Sequence, residues 1–165
     1  MVYRFCILIL FFAFQLTIAQ NGKIDSLKTV FENKKELDST RFEAGLEVFM
    51  LNFRGNLDSA RAFGNKVLKF SEDKKNKKWQ ATVTRYLGNT YAFKGDFKES
   101  LKLFLKSHEL LTELSDERGM ATTFNNIGIT YYELGDFTNA LDYLLKGFKL
   151  SEDLKDTVNL ARVTN

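Results

Sequence analysis

The sequence predicts an all-α fold, an α-α superhelical solenoid built from helix–turn–helix repeats. Three observations carry this. Ala81, Leu87, Gly88, Tyr91, Gly95, Asp96, Phe97, Ser100, Leu101 and Phe104 align with Ala121, Ile127, Gly128, Tyr131, Gly135, Asp136, Phe137, Ala140, Leu141 and Leu144, every pair at the one offset that separates 81 from 121. Each recurring unit holds two apolar-periodic helical segments around a Gly-Asp-Phe turn, the signature of a stacked helical array. Proline is absent and phenylalanine occurs 16 times, which suits long unbroken helices with aromatic packing.

The segment 1–19 reads as a separate object. Arg4 gives a short positive end, Phe5 to Ile18 is apolar apart from Gln15 and Thr17, and Thr17-Ile18-Ala19 supplies small residues for a cut after Ala19. That layout predicts a secretory signal peptide over 1–19, with an uncleaved anchor as the alternative, and hence an exported chain. Cys6 lies inside this segment, so the processed chain would hold no cysteine and neither disulfides nor thiol chemistry is expected.

After the leader, the stretch 20–40 is expected to form an N-terminal capping helix. Ile24, Leu27, Val30, Phe31, Lys34 and Leu37 follow helical spacing there, in the register of a second helix. Units follow at about 41–80, 81–120 and 121–160. The first is degenerate: Phe42, Leu46, Phe49, Met50 and Phe53 line its first helix and Gly55-Asn56-Leu57 makes its turn. Glu47-Val48, however, stands where the later units carry Leu87-Gly88 and Ile127-Gly128. Gly95 and Gly135 can adopt the left-handed conformation that ends a helix. Asp96, Asp136 and Asn56 are placed to cap the helix that follows. Phe97 and Phe137 are expected to lay a ring on the helix pair. Gly88, Gly128, Ala60, Ser100 and Ala140 are small where the two helices should approach closely, and Tyr91 and Tyr131 should pack beside them. The lysine-rich run Asp73 to Lys78 reads as a solvated turn between units. Ala161 to Asn165 repeats the register of Ala121 to Asn125, which predicts a truncated fourth unit from 161 and a longer parent chain.

These residues resemble the tetratricopeptide repeat. Phe124, Ile127-Gly128, Tyr131, Gly135-Asp136-Phe137, Ala140 and Leu141 match its pattern, as do Leu87-Gly88, Tyr91, Gly95-Asp96-Phe97 and Leu101. The usual unit of that family is about 34 residues long. The wider offset from 81 to 121 marks a long-unit variant, and it lacks the closing proline. The resemblance implies that the first helices line a concave groove. In chaperone-binding members, cationic and Asn residues of successive first helices clamp a peptide's terminal carboxylate, and Arg85, Asn89, Asn126 and Arg162 fall on the matching positions. Tyr132 joins them as an aromatic candidate, and Tyr86 and Phe93 are further aromatics of the same helices. An Arg can make paired hydrogen bonds to a carboxylate, and an Asn amide can donate as well.

Little supports catalysis. The chain has one histidine and no glycine-rich phosphate loop. His108 stands where Leu68 and Phe148 stand in the other units, which is a packing register. Lys106-Ser107-His108-Glu109-Leu110 resembles the segment around the phospho-accepting histidine of sensor kinases, but the Arg-Thr-Pro that should follow is Leu111-Thr112-Glu113. The net charge of +3 comes from 24 Lys+Arg against 21 Asp+Glu, too small and too dispersed a bias for nucleic acid. No metal, no cofactor and no catalytic residue is expected. A membrane would enter only through the leader or a missing C-terminal segment. The expected function is a non-catalytic scaffold for a peptide or partner protein. The alternative is the extracytoplasmic input region of a larger bacterial regulator, a histidine kinase or a DNA-binding protein.

Overall fold

A computed structural model describes residues 21–156 and 159, so the leader at 1–19 and Arg162 lie outside the described residues. The described chain is helical throughout, with no strand. Residues 21–32 belong to α1; α2 (Asp38–Phe53), α3 (Leu57–Asp73), α4 (Lys77–Phe93), α5 (Phe97–Glu113), α6 (Glu117–Glu133) and α7 (Phe137–Asp153) follow. From α3 onward the helices are all of one length, and their starts at Leu57, Lys77, Phe97, Glu117 and Phe137 are evenly spaced, each at half the repeat offset. The pairs open at Asp38, Lys77 and Glu117, slightly ahead of the expected 41, 81 and 121.

That half-period has a chemical origin in the turns. Asn56, Asn76, Asp96, Asp116, Asp136 and Asp156 each accept the backbone N–H three positions on, satisfying a donor that the helix itself leaves orphaned. Most of the same residues also send their own N–H back to the carbonyl five positions earlier: Asn76 to Ser71, Asp96 to Tyr91, Asp116 to Leu111, Asp136 to Tyr131 and Asp156 to Ser151, at 2.8–3.0 Å. This closure requires a left-handed residue just before the cap. Gly95 and Gly135 supply it within the pairs at φ +77° and +79°. Between pairs, Lys75, Ser115 and Lys155 are held at φ 52°, 52° and 51°. The turn at Gly55 closes differently, with Asn56 N–H donating to Asn52 O at 2.7 Å.

The chain forms two compact units, divided within α3 between Phe63 and Gly64. In the first, Ile24, Phe31, Phe42, Val48, Phe49, Ala60 and Phe63 are buried, and the Phe31 and Phe63 rings meet at 5.4 Å. Arg41 Nε donates to Phe31 O at 2.8 Å, satisfying a carbonyl near the end of α1. Lys34 and Leu37 do not continue α1 as their spacing suggests. The chain turns after residue 32, and Leu37 is 73% exposed at the N-cap of α2, without a side-chain cap.

In the second unit α4 packs on α5 and α6 on α7, with α5 and α6 joining the pairs. Each close approach is set by a glycine. A Cβ on Gly88 would stand 2.7 Å from the Phe104 ring, and one on Gly128 would stand 2.7 Å from Leu144 Cγ and 3.1 Å from Ala140 O. At the joint, a Cβ on Gly119 would meet Leu111 Cδ2 at 2.6 Å. Ser107 Oγ donates to Ala81 O at 2.8 Å between α5 and α4, so this buried hydroxyl is satisfied across helices. Tyr131 stacks on Tyr143 at 5.5 Å, and burial is the main cause that raises its pKa. Phe137 departs from expectation: it is 64% exposed, and its ring meets that of Tyr132 edge-on at 5.5 Å.

Candidate peptide-binding face

The first helices of the two pairs in the second unit, α4 and α6, each divide into a packed and an open side. On α4, Ala81, Val83, Thr84, Leu87, Gly88 and Thr90 are buried; on α6, Ala121, Thr123, Asn125, Ile127, Gly128 and Thr130 are. The open side of α4 carries Thr82, Arg85, Tyr86 and Asn89, all half-buried, and then Phe93 at 73% exposure. Arg85 and Asn89 are one helical turn apart and share a face. The Arg85 guanidinium lies 4.5 Å from the Tyr86 ring centroid, a cation–π contact.

The open side of α6 carries Thr122 and Asn126, both half-buried, and Ile129 at 47% exposure. Asn126 and Ile129 are a turn apart. Tyr132, 60% exposed, lies beyond them at the α6–α7 turn, where its ring meets Phe137. Of the sequence-derived candidates, Arg85 and Asn89 therefore share one helix face and Asn126 lies on the open side of the next first helix. Tyr132 belongs with the turn aromatics. Ile129 was not singled out by sequence, although it occupies the register of Asn89 one unit on.

Asn125, beside the candidate Asn126, is the other residue that sequence reasoning missed. It stands in the register of Arg85, yet it is 2% exposed, and neither atom of its amide has a hydrogen-bond partner among the described residues. It lies against Gly147 of α7, where a Cβ would fall well inside contact distance of Asn125 Oδ1. The signal available was glycine at 147, where Val67 and Ser107 stand in the other units.

The chemistry open to such a face is recognition. Amides donate and accept, so they can match a peptide backbone; a guanidinium can take a carboxylate; the aromatics and Ile129 offer apolar contact. His108 lies elsewhere, at the α5–α6 joint. Its Nδ1 is 2.9 Å from Thr123 Oγ1 and its ring centroid 4.3 Å from that of Phe124. Burial first, and the Lys146 charge second, hold its pKa below the ordinary 6.5. It is a packing residue, as its register suggested. Among the described residues no group of three or more His, Cys, Asp or Glu could hold a metal, and no helix is long and apolar enough to cross a membrane.

Residues 79–153 match the family model of the tetratricopeptide repeat. No curated protein matches the sequence. Among solved structures, BtubC from P. vanneervenii is similar at TM-score 0.74 and 19% identity, over 90% of this chain and 65% of that one. Aspartyl phosphate phosphatase F from Bacillus subtilis gives TM-score 0.76 and 17% identity, over 86% of this chain and 38% of that one. The Rap conjugation gene regulator of plasmid pLS20, solved in complex with the Phr* peptide, gives TM-score 0.76 and 17% identity, over 91% of this chain and 41% of that one. At these identities the likeness is one of fold, and the fold is the all-α solenoid of helix–turn–helix repeats. The chain spans 65% of the length of BtubC and still less of the phosphatase and of the pLS20 regulator.

Proposed function

From a chain whose residues 79–153 belong to the tetratricopeptide repeat family, we infer a non-catalytic scaffold that binds a peptide or an extended protein segment along the open sides of α4 and α6. The observation that carries this reading is the division of those two helices. One side of each is closed by core packing. The other presents Arg85, Asn89 and Asn126 beside Tyr86, Phe93 and Ile129, a mixture of amide, cation and apolar groups suited to a peptide. The peptide held by the pLS20 regulator is a property of that protein; its fold likeness supports looking for the same class of ligand here. Fold alone does not name the ligand.

The test pans a displayed library of short peptides with free carboxyl termini against the chain. Enriched peptides are then measured against Asn89→Ala, Asn126→Ala and the double variant. Two lost hydrogen bonds should weaken binding by about tenfold or more. Equal affinity for the double variant, or no enrichment at all, removes this face from the function.

A second reading is favoured by the greater length of the phosphatase and the pLS20 regulator: the chain would serve as the extracytoplasmic input region of a larger signalling protein. It requires export, which the pattern of 1–19 supports. Expression of the full sequence in a bacterial host followed by N-terminal sequencing decides this part. A start at Gln20 in a periplasmic fraction agrees with export, and a retained Met1 in the cytoplasm overturns it.

A further inference from the structure

Asn125 stands in α6 where Arg85 stands in α4, yet the two side chains go opposite ways. Arg85 is half-buried on the open side, with its guanidinium against the Tyr86 ring. Asn125 is turned into the seam between α6 and α7 and is 2% exposed. One helix position thus serves the open side in the first pair and is withdrawn from it in the second.

The seam admits this side chain without bonding it. Its room comes from Gly147, where Val67 and Ser107 stand in the other units. A Cβ on Gly147 would collide with Asn125 Oδ1 and stand 3.2 Å from Phe124 Cβ. In the α4–α5 pair the equivalent Ser107 hydroxyl is satisfied by Ala81 O at 2.8 Å. Oδ1 and Nδ2 of Asn125 are both buried and neither has a hydrogen-bond partner among the described residues. An amide buried in this way bears its full desolvation penalty.

We propose that Asn125 is a concealed contact of the peptide face, a role that rests on that face being the ligand site. When a peptide binds, the side chain leaves its seat against Gly147 and its amide pairs with the peptide backbone. A side-chain amide both donates and accepts, matching the C=O and N–H of an extended segment. Helical side chains keep two staggered χ1 wells, and passage between them carries the amide across the helix surface. The unpaired amide keeps the seated form from being strongly favoured, as a ligand-driven change requires. Chains with the amide seated lack the contact, so apparent affinity scales with the fraction turned outward.

The test uses the full chain with Gly147→Ala, which fills the seat, and Asn125→Ala, which removes the amide. Loss of a signal in Asn125→Ala identifies the Asn125 side-chain amide by nuclear magnetic resonance, and its solvent exchange is timed without ligand. Exchange should be slow in the parent and faster by about tenfold or more in Gly147→Ala, which should melt as the parent does. Affinities are then measured for a peptide enriched from the displayed library. Gly147→Ala should bind it about threefold tighter or more, because the amide is already turned outward. Asn125→Ala should bind about fivefold weaker or more, and the double variant should match it. Equal affinity of the parent and either single variant overturns the proposal and leaves the face itself standing, since that is judged by Asn89 and Asn126. A Gly147→Ala chain that unfolds, or that keeps the amide protected, marks a fixed packing residue and overturns it too. If the library yields no peptide, the face and this role fall together.

Discussion

Gly88 faces Phe104 where α4 packs on α5: a Cβ on the glycine would stand 2.7 Å from Cε1 of the ring and 2.8 Å from Cδ1. Phe104 is 2% exposed, so its ring has little room to retreat. Gly88→Ala should therefore destabilise the fold by roughly 1–3 kcal/mol through overpacking. Pairing it with Phe104→Leu, the residue that Leu144 provides opposite Gly128, should recover part of the loss. Urea denaturation of the two single variants and the double variant measures this, and strict additivity would contradict the contact.

Turn glycines and turn non-glycines should respond in opposite directions. Gly95 has open space around it, so Gly95→Ala meets only the backbone penalty of φ +77°, about 1 kcal/mol. Ser115 holds φ 52° with a side chain, and Ser115→Gly should stabilise by up to about 1 kcal/mol, less the entropy that glycine adds to the unfolded chain. Thermal melts of both variants test the pair. A Ser115→Gly variant less stable than the parent would show that the hydroxyl contributes more than the strain costs.

The missing cap of α2 is a place where stability can be added. Leu37 has extended N-cap geometry, φ −60° and ψ 140°, but no side-chain acceptor, and it is 73% exposed. Leu37→Asp should supply the bond that Asp116 makes to the Gly119 N–H at 3.0 Å, for a gain of about 1 kcal/mol. The converse change, Asp116→Ala, should cost about the same. Chemical denaturation at neutral pH checks both signs.

His108 should make stability depend on pH. Its folded pKa is lowered, so the unfolded chain takes up the proton first. Stability from this residue is fully present above the ordinary value of 6.5 and falls as pH drops through 6.5 toward the lower folded value. His108→Phe, the residue at the equivalent position 148, should flatten that part of the curve. Urea midpoints between neutral and mildly acidic pH give the slope, and an unchanged slope in the variant would assign it to other groups.

Much of this fold was legible because its turns are chemically explicit. Gly95-Asp96 and Gly135-Asp136 ended one helix and capped the next as their residue types require, and the small residues beneath them marked the close contacts. The caps at Asn76, Asp116 and Asp156 were equally visible in the sequence, midway between the caps of the Gly-Asp turns, at a spacing that the longer period obscured. The left-handed Lys75, Ser115 and Lys155 were not legible, because nothing in a lysine or serine advertises that conformation. It is imposed by the hydrogen bond that closes the turn from one residue further on.

The sequence by itself determined the repeat, its period, the turn chemistry, and that α4 and α6 would carry the candidate residues Arg85, Asn89 and Asn126. Only the tertiary structure decided which asparagine of the Asn125-Asn126 pair turns inward, since successive residues point about 100° apart around a helix. It also decided that Phe97 is partly covered and Phe137 exposed, although both occupy one register. Local pattern sets which way a side chain points along its own helix. What it meets there depends on the neighbouring helices, and those are assembled by contacts across the repeat.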